Sequence, residues 1–446
     1  MIEFIGATRQ DGDNIAASPA RLLNLYRERV GNRMVLKGVP GQTVFVDLAD
    51  VLGRAITEVG GTLFAVSGNG LYSITSAGVA TLLGSVADDE ETFMEGYSDN
   101  VTIVAGGNYY VWDGATLSTV TGGAFSNIGS VAYLSGYTIL TEKDGSKFQW
   151  SDIQDPAALD GLQFATAEAV DDTLLRVLTH GGNVFLFGKS SLEIWALTGR
   201  ANESAFARLA GGVFDRGLLA PKLAVDFGEG MFFVGDDRVA YLMSGVQRTP
   251  VSTRGFETAV TEETPTHCFH YDVEGHKFVV VRFEDRPSWV YDISSGEWHE
   301  RAVGNDLDAW GVVGAARAYG KWRGINVLSG IVTLEGVTDL GGTIVKKAVS
   351  STFENEENRF KANRLVIRAR TGFADLGRDM NLILRVSGDR GVTWGPPKPR
   401  SLGDLGEHET RAVWRSLGQF RTLTAEVSLG DNTDAPIYTD IALDVV

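Results

Sequence analysis

The stretch LFAVSGNGLYSI, residues 63–74, decides how this chain is read. Leu63–Ser67 is an apolar run, Gly68-Asn69-Gly70 supplies the residues of a tight turn, and Leu71–Ile74 returns as a second strand carrying large side chains. The same phrase comes back six times: VTIVAGGNYYVW (101–112), GYTILTEKDGSKFQW (136–150), NVFLFGKSSLEIW (183–195), MFFVGDDRVAYL (231–242), KFVVVRFEDRPSWVYDI (277–293) and INVLSGIVTL (325–334). The centres of their first strands, Phe64, Ile103, Ile139, Phe185, Phe232, Val279 and Val327, are spaced by roughly 36–48 residues, close to the ~40–50 of propeller blades. One such unit cannot bury its apolar face alone and must stack on its neighbours. The reading is therefore an all-β protein built on a β-propeller. The blade count is six or seven, depending on whether a C-terminal domain takes the last hairpin.

Composition agrees with many short strands joined by tight turns: 54 glycines against 11 prolines in 446 residues. With 40 basic and 57 acidic residues the net charge is −17, so no basic face for gripping nucleic acid is expected. A single cysteine, Cys268, excludes an internal disulfide framework and a multi-thiolate metal site. The opening MIEFIGATRQDGDN has neither a basic nor an apolar leader segment, and no apolar run approaches the ~18 residues of a membrane span. The expectation is a soluble product made in the cytoplasm.

The repeat dominates residues 51–350. Residues 1–50 lie outside it and read as an N-terminal docking arm, in which Ala20–Val30 suits either a short helix or an extended strand. From 351 the texture changes to longer alternating strands, such as Arg364–Arg370 and Asn381–Ser387, and 351–446 reads as a C-terminal β-sandwich-like domain.

The sharpest local motif is Ser387-x-Asp389-x-Gly391-x-Thr393-Trp394, an Asp-box. Asp389 is placed to bond turn amides, Gly391 to take a positive φ and Trp394 to cover the hairpin. Sialidases, which are propellers, carry such boxes away from their catalytic centre, so the motif specifies a hairpin and not a reaction. His267, Cys268, His270 and His276 form the one His/Cys cluster, and strand alternation puts His267 opposite Cys268 and His270. They read as incidental strand residues rather than zinc ligands. Asp171/Asp172 and Asp236/Asp237 read as turn residues rather than acid–base pairs. Lys143, Lys147, Arg200, Arg208, Arg216 and Arg254 read as solvated surface, with a ring around one opening of the propeller as the alternative. No catalytic, cofactor-binding or metal site is assigned.

Several phrases are more specific than any propeller. They are the W-S-D…P…F-A-T-A-E run (150–168), LFGKSSLEIWALTG (186–199), FDRGLLAP (214–221), VGDDRVAYL (234–242) and TPVSTRGFE (249–257). NLYRE (24–28) stands before them, and the Asp-box with RAVWRSLGQFR (411–421) after them. Together and in this order they resemble the packaged-DNA stabilisation proteins of short-tailed phages, which form the tail nozzle. The resemblance implies a non-enzymatic virion protein of the phage tail that forms a ring of six copies below the portal and its adaptor ring. It would retain packaged DNA, with double-stranded DNA passing through the ring at ejection without sequence-specific binding. It would also dock tail fibres or spikes and a plug or needle protein, and face the host surface at its distal end. The rival classes are a sialidase-like glycoside hydrolase and a propeller lectin. The unequal turns of the repeats (SGNG, AGGN, EKDG, FGKS, VGDD) argue against equivalent sugar sites.

Overall fold

A computed structural model describes residues 8, 19–31, 33–48, 52–89, 91–199, 204–328, 330–356, 358–372, 380–430, 437–438 and 442–445. The seven phrases are the middle hairpins of seven blades. Each is preceded by a first strand: Gly53–Val59, Phe93–Tyr97, Ile128–Leu134, Leu174–His180, Ala224–Asp226, His267–Val273 and Val312–Ala318 for blades 1 to 7. These first strands lie side by side around a common axis, and that of blade 7 returns to that of blade 1. Six blades are separate four-stranded sheets, while the four strands of blade 6 continue into a larger sheet.

Apolar burial explains the stacking. Leu63, Ala65 and Ile74 of blade 1 share a core with Val313, Ile325 and Ile331 of blade 7. Val66 and Leu71 on the same hairpin pack with Val101 and Ile103 of blade 2. Successive residues of one strand thus fill cores on its two sides, as the two-residue period of a strand requires. Aromatic residues dominate the junction of blades 4, 5 and 6, where Phe187, Phe233, Trp289 and Trp298 are buried. The one α-helix among the described residues, Arg254–Glu262, sits there; Thr253 caps it and Phe256 stacks on Trp298 at 4.5 Å.

Blade 7 is completed from the other end of the chain. Its outermost strand is Thr43–Val46, paired antiparallel to Gly330–Thr333 with Val44 opposite Val332. The last hairpin therefore stays in the propeller, and part of the segment read as an arm outside the repeat belongs to the ring. A strand at 43–46 thus completes a blade whose other strands lie at 312–333, tying the start of the propeller to its end.

The remainder of the N-terminal segment is also tied down. Ala20–Val30 is not helical: it forms the strands Arg21–Leu23 and Leu25–Val30, divided at Asn24, whose φ is +53°. The buried Asn24 side chain donates to the carbonyls of Ala302 and Val345 at 3.0 and 2.9 Å and accepts from the Ala302 amide at 2.9 Å. Those tertiary bonds, with Leu22, Leu25 and Tyr26 all buried, overrule the helical spacing of the apolar residues.

Arg21–Leu23 joins the two domains. It runs parallel to the outer strand of blade 6, Glu297–Val303, and antiparallel to Lys346–Val349. Beyond lie Thr422–Leu429, Asn381–Ser387 and Lys398–Ser401. Phe360–Ile367 with Ala412–Phe420 and Ala442–Val445 forms the facing sheet. Between them a core of Leu22, Leu36, Leu365, Leu382, Trp414 and Val427 is closed from water. The sandwich is thus assembled from both ends of the chain.

Candidate functional site

The first strands of the blades line the propeller axis, where a cavity of about 160 Å³ opens between them. That is below the roughly 300–1,000 Å³ of a pocket for a drug-sized molecule. Residues of six blades and of the segment leading into blade 5 reach it, among them Arg54, Glu95, Val131, Arg176, Lys222, His267 and Val313. No DNA duplex fits through this axis.

The cavity is polar and mostly cationic. Arg54 pairs with Asp88 and donates to the Asp89 carbonyl at 2.9 Å. Arg176 lies over the Phe93 ring at 4.7 Å and donates to the Pro221 carbonyl at 3.3 Å. Burial lowers the Arg176 guanidinium to about 10. Lys222 Nζ stands 3.2 Å from His267 Nε2 and 3.4 Å from the Arg54 carbonyl. Burial, then the Lys222, Arg282 and Arg176 charges, hold His267 well below its ordinary value, so its imidazole is neutral. Glu95 is the single carboxylic acid of the lining. Burial raises it to about 7, against the opposing pull of the Gly96 amide and Arg176.

The candidate residues of the sequence reading go elsewhere or stay apart. His267 and Cys268 lie at the axis, whereas His270 packs edge-on to Trp322 at 5.2 Å. His276 bonds Asp292 at 2.7 Å at the far end of the strand pair, beside Tyr26. Among the described residues no group of three His, Cys, Asp or Glu side chains is placed to hold a metal ion. Asp172 accepts from the Ser190 amide and the Ser191 hydroxyl, at 2.8 and 2.9 Å. Asp236 accepts from the Gly217 amide at 3.1 Å, and Asp237 takes the Tyr241 hydroxyl at 2.6 Å.

The basic residues do not make a ring. Lys143 lies 3.6 and 3.4 Å from Asp89 and Glu91, Arg208 faces Glu193 at 3.9 Å, and Arg216 pairs with Asp237 at 2.9 Å. Arg254 meets Glu257 at 3.4 Å, while Lys147 covers Phe164 at 5.4 Å. Arg200 lies outside the described residues. The cations that converge are Arg54, Arg176 and Lys222. A sequence search for local motifs passes over them, because they stand one blade or more apart.

The Asp-box closes the hairpin between Asn381–Ser387 and Lys398–Ser401, far along the sandwich sheet from the axis. The Ser387 hydroxyl donates to Asp389 Oδ1 at 2.6 Å and accepts the Gly391 amide at 2.8 Å. The Thr393 amide donates to Asp389 Oδ1 at 2.8 Å. These bonds from Ser387 and Thr393 bring the Asp389 carboxyl down to about 2. Gly391 takes φ +90°, and Trp394 lies 5.8 Å from the Arg385 guanidinium. The Ser387 hydroxyl and the Asp389 carboxylate of the box are used by the turn itself.

Comparison with known families places this architecture. The bacteriophage P22 Gp10 β-propeller family matches residues 4–332, and the bacteriophage P22 Gp10 β-sandwich family matches residues 347–425. The chain belongs to the bacteriophage P22 Gp10 family. It is accordingly a structural protein of the phage tail, and the virion is its place. A comparison with curated proteins finds no match. Among solved structures, PorZ of the type-IX secretion system of Porphyromonas gingivalis aligns at 14% identity and a TM-score of 0.42, over 81% of this chain and 46% of that one. The chain spans less than half of PorZ. The Neurospora crassa Pan2 WD40 domain aligns at 8% identity and a TM-score of 0.45, over 68% of this chain and 98% of that one. No helix of the described residues is long and apolar enough to cross a membrane.

Proposed function

We propose that this member of the family builds the nozzle of a short tail: a ring of copies, six by family resemblance, below the portal and its adaptor, that holds packaged DNA and later conducts it out. The observation that carries the reading is the filled propeller axis. A cavity of about 160 Å³ lined by side chains is too small for a duplex, and in this reading the conduit runs between subunits. The net charge of −17 suits such a wall, since phosphate contacts from a basic lining would retain DNA instead of releasing it. A ring closed by rotation uses two different faces of each subunit, and a propeller continued into a sandwich offers such unlike faces. Docking to adaptor and neighbours is assigned to the sandwich end, where residues 20–38 and the C-terminal strands meet. Tail fibres or spikes and a plug or needle protein would attach to the assembled ring.

The test is DNA retention. Particles assembled without this chain should package DNA and then lose it, leaving it open to nuclease, and added protein should restore protection. Particles that keep nuclease-resistant DNA without the chain would refute the nozzle reading.

A further inference from the structure

We propose that two unlike faces of this chain bind each other head to tail between copies: the basic outer face of the sandwich on one copy, and the acidic outer edge of blade 3 on the next. The assignment rests on the ring reading and names the surfaces that would close the ring.

The net charge of −17 is unevenly spread. Residues 1–350 hold 27 basic and 43 acidic side chains, whereas 351–446 hold 13 and 14. In the sandwich the basic ones gather on one sheet face. Across the paired strands Phe360–Ile367 and Ala412–Phe420, Leu365 and Trp414 lie in the core, while Lys361 stands opposite Gln419 and Arg364 opposite Arg415 on the outer face. Arg359 and Arg421 flank one end of this ladder and Arg368 the other, all exposed. Asp444 is the acid that strand register sets beside Arg364. Arg385 and Arg390, by contrast, pair with Glu426 and Glu354 on the other sheet. Among the described residues no carboxylate stands at ion-pair distance from Lys361, Arg415 or Arg421. Like charges facing each other across two strands are destabilising, so a counter-charge from outside the chain would stabilise this face.

Blade 3 offers the complement. Residues 151–175 contain six acidic side chains and no Lys or Arg. Five of the acids, Asp152, Asp155, Asp160, Glu168 and Asp171, are exposed. The bonds of Asp152, Asp155 and Asp160 within the chain go to uncharged donors: the Gln163 side chain and the Ala157 and Leu162 amides. Beside these carboxylates stand Ile153 and Leu162, 59% and 86% exposed. The strand Asp155–Thr166 is the outermost of its blade, so one of its edges has no strand beside it. Such a surface suits arginine and lysine, whose stems cover apolar groups while their heads meet carboxylates.

Placement makes a second copy the occupant. Blade 3 stands three blades from blade 6 and three from blade 7 around the ring, whereas the sandwich is joined to blade 6. The two faces therefore lie at opposite ends of one subunit and meet only between copies. A contact of that kind is heterologous, the type that a ring closed by rotation requires. The lengths also agree. At ~3.3 Å per residue, the basic ladder over 359–368 and the strand Asp155–Thr166 run roughly 30 and 36 Å.

Sedimentation velocity of the purified full chain is the experiment, with Lys361→Glu/Arg415→Glu for the basic face and Asp160→Lys/Glu168→Lys for the acidic one. All four positions are exposed, so both variants should fold, and an unchanged melting temperature checks this. At about 100 µM protein and ~50 mM salt, where screening is weak, the wild type should associate beyond the monomer. Raising the salt to ~0.5 M should weaken that association about tenfold or more. Each variant alone should stay monomeric, because its two faces now carry the same sign. An equimolar mixture of the two should associate again, since each supplies the face that the other lacks. A wild type that stays monomeric, variants that associate as it does, or a mixture that stays monomeric would overturn the proposal. So would a monomeric wild type that retards a short DNA duplex through Lys361 and Arg415, which would give the face to nucleic acid. These outcomes bear on the contact alone; the ring reading falls instead if purified particles lack the chain.

Discussion

Breaking the buried Arg301–Asp339 pair should open the propeller at its closure before it unfolds elsewhere. Arg301 lies on the outer strand of blade 6 and Asp339 follows blade 7, with side chains 0% and 2% exposed and 2.5 Å apart. The guanidinium also bonds Asn24 Oδ1 at 3.2 Å and the Ala302 carbonyl at 2.8 Å, and it lies over the Trp310 ring at 5.0 Å. Next to Asp339, the Gln42 amide bonds the Thr338 carbonyl and the Leu340 amide bonds the Gln42 carbonyl, both at 2.8 Å. Gln42 leads directly into the closing strand Thr43–Val46, so the ion pair anchors the lead-in to the ring closure. Removing one partner of a buried pair costs about 3–5 kcal/mol, because the other charge is left without a counter-charge. At a urea dependence of about 3 kcal/mol per molar, the upper end for small proteins, either Arg301→Met or Asp339→Leu should lower the unfolding midpoint by roughly 1–1.7 M. The double variant Arg301→Met/Asp339→Leu removes both charges and should recover at least half of the summed loss. Hydrogen exchange gives the location: amides of 43–46 and 331–333 should lose protection first, while blade 3 around Ile139–Trp150 keeps its own. Single variants within about 0.5 kcal/mol of the wild type, the range of ordinary surface changes, would refute the reasoning. So would additive losses in the double variant, or protection lost evenly across all blades.

Other perturbations probe separate parts of the account. Gly330 has φ +71°, and a Cβ there would fall 2.5 Å from the Val46 carbonyl oxygen. Gly330→Ala should therefore cost about 2 kcal/mol or more, from left-handed strain of ~1–2 kcal/mol plus the clash, read as a drop in melting temperature. Glu95 is raised from 4.5 to about 7, so the folded chain keeps a proton that the unfolded chain has lost. Stability should fall as pH rises through that window and level off above 7, and Glu95→Gln should abolish the slope, which is worth about 3 kcal/mol at 1.36 kcal/mol per unit. Asp389, at about 2, has the opposite sign: its contribution is complete above the ordinary aspartate range and is lost as pH falls through its own value. Proteolytic cutting of the 388–395 turn by an acid-active protease should stay low down to pH 4 and rise below it, and Asp389→Ala should be cut readily at every pH.

The sequence shows the middle hairpins plainly, because each is a local unit: apolar run, Gly-rich turn, apolar run. The Asp-box is legible for the same reason, since the bonds of its Ser387 and Asp389 side chains lie within seven residues of Ser387. What escapes reading is held by long-range contacts. TVFV at 43–46 carries β-branched residues but has no partner strand nearby of the repeated kind, and only its pairing with Gly330–Thr333 makes it a blade strand. Asn24 divides a stretch whose leucines keep helical spacing, and the bonds that fix it come from Ala302 and Val345. Arg54, Glu95 and Arg176 converge only when the ring closes. A signal for them does exist: a charged residue on the first strand of a blade, just before the repeated phrase, where a half-buried β surface usually holds apolar or β-branched side chains.

The central claim is that this chain is a component of the phage tail, and the most direct test is its abundance in the particle. Quantitative mass spectrometry of gradient-purified virions should find a fixed, small number of copies against the major capsid protein, six if one ring is present per tail. Absence from purified particles, or a copy number that varies between preparations, would contradict the account.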